Sequence, residues 1–394
     1  MYLSNEEEKA LKGEYGEAIE LAYRILVAIG EATNAEKLIE IEWAHVSGVN
    51  YNTIGDAGLR FLEDLSVKMK GGKVKIKSTL NPMGYDPYKS ERISEEFKEK
   101  QERIRRAYER MGIIASYTCI PYQVYEISER GKHVSFAESN AAIFANSILG
   151  LKTNKESALS ALASAITGKS PYSGLRLEEL RKPRLCIRVE KEPKNELEYG
   201  LLGYFAGKFN EYSIAFDIKN ELNEIHAKSL SASLGTSGSV GMFELAKKDS
   251  KYEEIIEYDE KETKEILEKL SNSDKGDLIV FGSPQLGMEE LRTLSSLLSK
   301  GKKRFKKRFK KRCILFCARK IYGEAKNFGY INELERAGVE IYCDSCSCLT
   351  PLVDKREVDS VITNSVKACY YLRNWNKVNV CLKSMKEIVE EECE

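Results

Sequence analysis

Histidine is scarce in this sequence, and its scarcity limits the metal sites that the chain could build. Only three histidines occur in 394 residues, at His45, His133 and His226, and their spacing matches no metal-binding motif. The chain has no GxxxxGK[ST] segment and no GxGxxG after a predicted strand. We therefore expect neither a P-loop nor a Rossmann dinucleotide site.

Long apolar runs and an excess of charge of either sign are missing as well. The sequence contains no apolar run of about 18 residues, and its first segment, MYLSNEEEKAL, lacks the apolar core of a secretory signal. We therefore expect a cytoplasmic chain that does not associate with membranes. Lys and Arg number 62 and Asp and Glu 61, so the net charge of +1 predicts no general affinity for nucleic acid.

One segment departs from this balance. Residues 300–313 read KGKKRFKKRFKKRC and repeat the motif KKRF. Basic and aromatic residues in such a mixture are typical of nucleic-acid binding. The alternative is a solvated insertion loop before a strand, and this is the better prediction because the rest of the chain is not basic.

Segments with strand and helix patterns alternate along the chain, which predicts an α/β architecture with parallel or mixed sheets flanked by helices. Two or three subdomains are expected, at about 1–190, 191–275 and 276–394. Residue Ser139 is expected to cap the helix that it opens. Strands are predicted at 38–43, 73–78, 277–281, 313–317 and 339–343, and helices at 5–32, 56–69, 90–111, 139–150, 288–299 and 323–337.

Four polar segments lie next to predicted strands, where parallel α/β proteins bind ligands. Glycine in the first segment would let the backbone approach an anion closely, and the amides before the following helix could donate to it. An ordinary loop or turn remains the alternative for the first two segments. The four are residues 47–50, 78–82, 117–122 together with 136–142, and 343–348.

Cysteine is plentiful, with ten residues, and a reducing compartment favours metal or redox chemistry over disulfides. Cys343, Cys346 and Cys348 follow a predicted strand at once, but no second CxxC pair completes a zinc site. Thiolates of an iron–sulfur cluster, completed from distant segments, fit this spacing better. Cys119 could be such a ligand or a buried core thiol.

Five segments in the same order resemble the aconitase X family. They are AHVSGVNYNTIGDAGLRFLEDL, TLNPMGYD, YTCIPY, FAESNAAIFANSILGLKTN and ITGKSPYSGL, and the resemblance runs from near Met1 to about residue 365. It implies an aconitase-like fold without the swivelling small domain, and a hydro-lyase that dehydrates (R)-5-phosphomevalonate to trans-anhydromevalonate 5-phosphate in the archaeal mevalonate pathway. A 4Fe-4S cluster would act as Lewis acid. A separate small subunit, resembling the swivelling domain, would complete a heterodimer and carry the catalytic base.

The resemblance also implies site residues. Cys119 and Cys346 match cluster ligands. At the third ligand position Ser283 stands where the family commonly has cysteine, and Gln285 stands where it has histidine. Either Ser283 ligates through oxygen, or Cys343 or Cys348 takes its place, or the cluster is weak or lost. The implied substrate contacts are Gly48, Val49, Asn50, Thr79, Leu80, Ser139, Asn140, Asn364, Ser365 and Lys367.

Two other functions remain open. The family also contains dehydratases of cis-3-hydroxy-L-proline, which usually carry the small domain fused to the chain. The change at Ser283 and the basic segment would instead suit a cluster-poor, non-catalytic relative that binds a partner or nucleic acid. Intact substrate loops oppose this last reading.

Overall fold

Strands and helices alternate along the computed structural model, which describes residues 1–299 and 307–394. Fourteen strands are formed by these residues: β1 (Leu38–Glu40), β2 (Trp43–Val46), β3 (Lys77–Leu80), β4 (Val134–Phe136), β5 (Lys169–Pro171), β6 (Leu185–Val189), β7 (Ser213–Asp217), β8 (Met242–Leu245), β9 (Glu254–Tyr258), β10 (Leu278–Leu286), β11 (Arg312–Cys317), β12 (Val339–Cys343), β13 (Ser360–Thr363) and β14 (Asn379–Leu382).

Helices pack around these strands, and in the described part of the chain none is long and apolar enough to cross a membrane. They are α1 (Asn5–Leu11), α2 (Glu17–Ala32), α3 (Tyr51–Glu63), α4 (Glu95–Arg110), α5 (Pro121–Val124), α6 (Ser139–Phe144), α7 (Ala158–Thr167), α8 (Glu196–Ala206), α9 (Glu224–Ser237), α10 (Glu260–Leu270), α11 (Met288–Ser299), α12 (Arg319–Asn327), α13 (Tyr330–Arg336), α14 (Val366–Tyr371) and α15 (Met385–Glu392). Helices α3, α6 and α14 continue into π-helical turns.

Three parallel sheets organise the fold. Their strand orders are β3-β2-β4, β8-β7-β6-β9 and β12-β11-β10-β13-β14, and β1 pairs with β5 as a small antiparallel ribbon. This arrangement confirms the predicted α/β class. We propose that each parallel sheet marks one of the three predicted subdomains.

The central strand β10 shows why these segments form sheets. Every residue from Leu278 to Leu286 is buried. A parallel strand covered on both faces needs a continuous apolar run, and Leu278 to Phe281 provide it. The register with β11 shifts between Phe281 and Leu286, which frees the polar residues Ser283 and Gln285 from the regular ladder.

Several predicted boundaries were wrong, mostly where glycine interrupts a helix. The predicted helix 5–32 is divided at Gly16, whose φ of 110° suits glycine and where a Cβ would lie 2.5 Å from the carbonyl oxygen of Lys70. The predicted helix 323–337 is likewise two helices that meet at Gly329, with φ 83°. The predicted strand 73–78 forms later, at β3, and the predicted strand 38–43 is split between β1 and β2.

The cap of helix α6 lies one residue earlier than predicted, at Glu138 instead of Ser139. The carboxylate of Glu138, not the hydroxyl of Ser139, accepts the N–H of Asn140 at 3.3 Å. Ser139 is the first helical residue, so its side chain does not cap the helix.

The predicted basic loop 300–313 is only partly described, since residues 300–306 lie outside the described residues. The remainder is not a solvated loop. Phe309 is buried in the core, and Arg312 already belongs to β11. Lys311 pairs with Glu392 at 2.8 Å. Apolar burial of Phe309 and strand pairing explain why the charge pattern was a poor guide here.

A buried ion pair supports the first sheet and offers a test of the packing. Arg176 is fully buried, pairs with Glu156 at 3.0 Å and donates to the carbonyl of Val134 at 2.8 Å. We expect Arg176→Met to lower the free energy of unfolding by about 3–5 kcal/mol, because it leaves the Glu156 charge buried and unpaired. Denaturant titration measures this. Arg356→Ala, at a side chain that is 88% exposed, is the control and should leave the midpoint unchanged; equal midpoints for the two variants would contradict the prediction.

Candidate functional site

A cavity of about 340 Å³ lies where the carboxyl ends of two parallel sheets approach each other. Segments that follow β3, β4, β12 and β13 all contribute to it, as expected for ligand sites in such sheets. Its wall is formed by Ser47, Thr53, Asn81, Pro82, Cys119, Ala137, Glu138, Ser139, Gly235, Ser283, Cys346, Cys348, Leu349, Lys367, Tyr371 and Trp375.

Three cysteine thiols share this wall. Cys119, Cys346 and Cys348 are all buried. Cys348 Sγ lies 3.3 Å from Ser283 Oγ. The contact with Cys346 lowers the pKa of the Cys348 thiol, against the effect of burial, and the Ser283 hydroxyl acts in the same direction. Burial raises the pKa of the Cys119 thiol well above its usual value.

Gln285 joins the two cysteine-bearing loops. Its backbone N–H donates to Cys119 Sγ at 3.1 Å, which favours a thiolate there. Its side-chain amide donates to the carbonyls of Tyr117 at 3.2 Å and of Ser345 at 2.8 Å. A glutamine at this position therefore has a structural role between the two loops.

A chain of buried hydrogen bonds runs from the first sheet to the cavity. The Trp43 indole donates to Thr79 Oγ1 at 3.2 Å, and the Thr79 hydroxyl lies 2.9 Å from His45 Nδ1. His45 Nε2 is 3.1 Å from Asn81 Oδ1, and the Asn81 amide donates to Glu138 at 3.0 Å. Burial lowers the pKa of His45 to about 4, so its imidazole is neutral at pH 7 and can donate from Nε2 while accepting at Nδ1.

The chain ends on an ion pair between Glu138 and Lys367, whose side chains are 12% and 8% exposed. Burial alone would raise the pKa of Glu138, but the Lys367 ammonium and the Asn81 amide hold it below its usual value. Burial alone would lower the pKa of Lys367, but Glu138 raises it. Both groups are therefore charged at pH 7.

The loop that carries Cys346 and Cys348 is anchored by a second charged group. Arg319 pairs with Asp344 at 2.5 Å and with Asp86 at 2.6 Å. The second carboxylate oxygen of Asp86 accepts the N–H of Cys343 at 2.9 Å. Burial raises the pKa of Asp344 to about 6, although Arg319 opposes this shift. These bonds fix the loop directly after β12.

Only some of the predicted substrate contacts lie on the cavity wall, namely Ser139 and Lys367. Asn140 donates to Tyr122 Oη at 2.9 Å, and Asn364 donates to Glu196 at 3.2 Å. Ser365 donates to the carbonyl of Ser283, directly behind the wall. The substrate role of these residues stays a prediction.

The first two predicted loops support the wall more than they form it. Asn50 caps α3 and donates to the carbonyls of Met83 at 3.0 Å and Leu349 at 3.2 Å. Gly48 has φ 75°, and a Cβ there would lie 2.9 Å from the Cβ of Ala158. This backbone conformation explains the glycine. Val49, Thr79 and Leu80 are buried, and their neighbours Ser47, Asn81 and Pro82 line the cavity instead.

The donor set fits an iron–sulfur group better than a single ion. Across residues 1–299 and 307–394, no three His, Cys, Asp or Glu side chains are grouped to hold one metal ion. In a cluster, each thiolate binds a different iron, so the sulfurs need not converge on one point. The three buried thiols around one cavity, with an N–H donated to Cys119, match that need.

The sequence interpretation did not predict the hydrogen bonds that connect three polar residues of the site. His45, Asn81 and Glu138 stood in the segments singled out above, but their mutual contacts span 36 and 57 positions of the chain. The only signal was that each polar residue stands beside a predicted strand end.

Family models match the whole length of the chain. The models of the first, second and third domains of aconitase X match residues 1–179, 183–274 and 276–394. The chain is also similar to a solved structure, that of Thermococcus kodakaraensis aconitase X in its holo-form, with a TM-score of 0.90, 34% identity and full coverage of both chains.

Curated relatives agree with these matches. The phosphomevalonate dehydratase large subunit of Methanocaldococcus jannaschii is 37% identical over 99% of this chain and 100% of its own length. The protein of the same name from Thermococcus kodakarensis is 34% identical, with the same coverage. The cis-3-hydroxy-L-proline dehydratase of Hypocrea jecorina is 32% identical over 94% of this chain but only 65% of its own length.

The ion pair at the cavity makes stability depend on pH. Because the folded pKa of Glu138 is lowered, its contribution is present above the usual glutamate pKa and lost as the pH falls through the folded pKa. In Lys367→Met, burial would raise that pKa instead. We expect this variant to be about 3–5 kcal/mol less stable at pH 7, a deficit that shrinks as the pH falls and Glu138 takes up a proton.

Chemical unfolding at several pH values measures this deficit. The double variant Glu138→Gln/Lys367→Met is the control, since it removes both charges and should recover part of the loss at pH 7. A Lys367→Met protein with wild-type stability at pH 7 would show that the pair is not buried in solution.

Proposed function

The chain belongs to the aconitase X family, and we propose that it is the large subunit of a hydro-lyase that dehydrates (R)-5-phosphomevalonate to trans-anhydromevalonate 5-phosphate. The observation that carries this proposal is the single cavity that gathers three thiols, the Glu138–Lys367 pair and the Ser139 hydroxyl. The two phosphomevalonate dehydratase large subunits match this chain over their full length, whereas the cis-3-hydroxy-L-proline dehydratase matches over only 65% of its length. This difference favours phosphomevalonate as the substrate.

We propose that Cys119 and Cys346 ligate an iron–sulfur cluster of the 4Fe-4S type, with Ser283 or a neighbouring thiol at the third position. When bound, such a cluster supplies a Lewis acid for the leaving hydroxyl. When Cys119 is bound as a thiolate, the N–H of Gln285 would stabilise it. Burial of the thiols excludes water from them.

Ser47 and Ser139 line the same cavity, and their hydroxyls can donate to the phosphate and carboxylate oxygens of the substrate. Thr53 lines it as well, but its hydroxyl donates to the carbonyl of Asn50 at 2.7 Å. Lys367 adds a positive charge, and Glu138 keeps that ammonium in place. These residues bind and orient the substrate.

A small subunit would complete the site. Trp375 lines the cavity and is 60% exposed, so an apolar surface stands at its rim. We propose that the small subunit, a domain resembling the swivelling domain of aconitase, covers this rim and provides the catalytic base.

Anaerobic co-expression with the candidate small subunit tests the proposal. We expect a complex that contains iron and sulfide and converts (R)-5-phosphomevalonate faster than cis-3-hydroxy-L-proline. A folded complex without turnover on either compound would sink the enzymatic proposal and favour a binding role. A complex that prefers cis-3-hydroxy-L-proline would overturn the proposed substrate.

Ser139→Ala tests the substrate-binding role of the cavity. Losing one hydrogen bond to a charged substrate group costs about 1.5–3 kcal/mol, so kcat/KM should fall roughly 10- to 100-fold. Steady-state kinetics of the complex measures this. Ser250→Ala, at an exposed turn, is the matched control and should keep wild-type kinetics; an unchanged kcat/KM in Ser139→Ala would exclude Ser139 from substrate binding.

A further inference from the structure

We propose that Cys348, and not Ser283, supplies the third protein ligand of the iron–sulfur cluster. The inference rests on the proposed function, since it presupposes that the chain holds a cluster. It assigns a ligand to a thiol that stands at none of the positions matched to the family's ligands.

The cavity selects among the cysteines. Of the ten cysteines in the chain, Cys119, Cys346 and Cys348 line its wall. Cys343, the other cysteine considered from the sequence, lies at the end of β12 opposite Cys317 of β11. The N–H of Cys343 is held by Asp86, on the side of the loop where Arg319 binds. Cys343 is therefore placed in the sheet, away from the cavity wall.

Cys348 and Ser283 occupy the same part of the wall. Their side-chain atoms lie 3.3 Å apart, so a metal atom that reaches one of them also stands next to the other. A soft thiolate binds iron in such clusters far better than a serine hydroxyl does. The thiol is thus the better of two ligands offered at one place.

The backbone holds Cys348 at this position. The N–H groups of Leu349 and Thr350 donate to the carbonyl of Cys346, both at 3.2 Å, which closes a turn around Cys348. Asn50 donates to the carbonyl of Leu349 at 3.2 Å and ties that turn to the start of α3. These bonds hold Cys346 and Cys348 at fixed positions in the loop.

Ser283 has another role in this arrangement. Its carbonyl accepts the hydroxyl of Ser365, and its own hydroxyl lies beside Cys348 Sγ. A hydroxyl next to a ligating sulfur can donate a hydrogen bond to it, as groups around a metal centre commonly do. We therefore assign Ser283 as a positioning residue for the Cys348 thiolate.

The test compares ligand variants of the complete complex, purified without oxygen. Iron and acid-labile sulfide are measured per chain, together with the visible and electron paramagnetic resonance spectra. Cys348→Ser should hold about tenfold less iron and sulfide than the wild type. Ser283→Ala should lose clearly less of both, because its hydroxyl only positions the thiolate, and Cys343→Ser should keep nearly all of both. The double variant Ser283→Cys/Cys348→Ser should regain iron, because a thiolate again stands at the same place, and this separates a lost ligand from a misfolded chain.

The outcomes distinguish this inference from the proposed function. Loss of iron in Ser283→Ala with full retention in Cys348→Ser would make Ser283 the ligand and overturn the inference while keeping the cluster. Full retention in both variants would overturn it as well. A wild-type complex without iron and sulfide would overturn the cluster itself, and the inference with it.

Discussion

The buried ion pair between Glu138 and Lys367 is the interaction on which the site depends. Glu138 follows β4 of the first sheet, and Lys367 follows β13 of the last. A charge in this largely buried place is costly unless it is paired, so the pair holds the carboxyl ends of two separate sheets at a fixed distance. The cavity lies beside this ion pair, between the carboxyl ends of the two sheets. The thiols, the hydroxyls and the exposed rim at Trp375 line this same cavity.

A series of hydrogen bonds connects Glu138 to the first sheet. Trp43, Thr79, His45 and Asn81 form a continuous series that ends on the Glu138 carboxylate. Because His45 is neutral at pH 7, the series keeps one direction of donation and adds no charge of its own. Burying such groups is tolerable only when each of them has a partner. The hydrogen bonds of the sheet thus orient the Glu138 carboxylate, and the Lys367 ammonium neutralises its charge.

On the opposite wall, neutral hydrogen bonds join the cysteine loops, in addition to the ion pairs of Arg319 with Asp86 and Asp344. Gln285 bridges the carbonyls of Tyr117 and Ser345 and gives its N–H to Cys119. Its strand can do this because the pairing of β10 with β11 is irregular near Ser283 and Gln285. The same irregularity places Ser283 beside Cys348. The bridging role of Gln285 and the position of Ser283 next to the Cys348 thiol therefore both follow from this irregularity of β10.

Sequence patterns by themselves determined the α/β class, some of the strands, and the segments that surround the cavity, because burial and periodicity are properties of neighbouring residues. They did not predict the strands of the sheet β8-β7-β6-β9. They also carried the family resemblance. They did not determine which residue of each segment faces the cavity. Ser47, Asn81 and Pro82 line it, whereas Val49, Thr79 and Leu80 beside them are buried. Likewise Cys348 reaches the wall and Cys343 does not. Only the tertiary structure decided these points, because they depend on contacts such as that of residue 138 with residue 367, which no local pattern encodes.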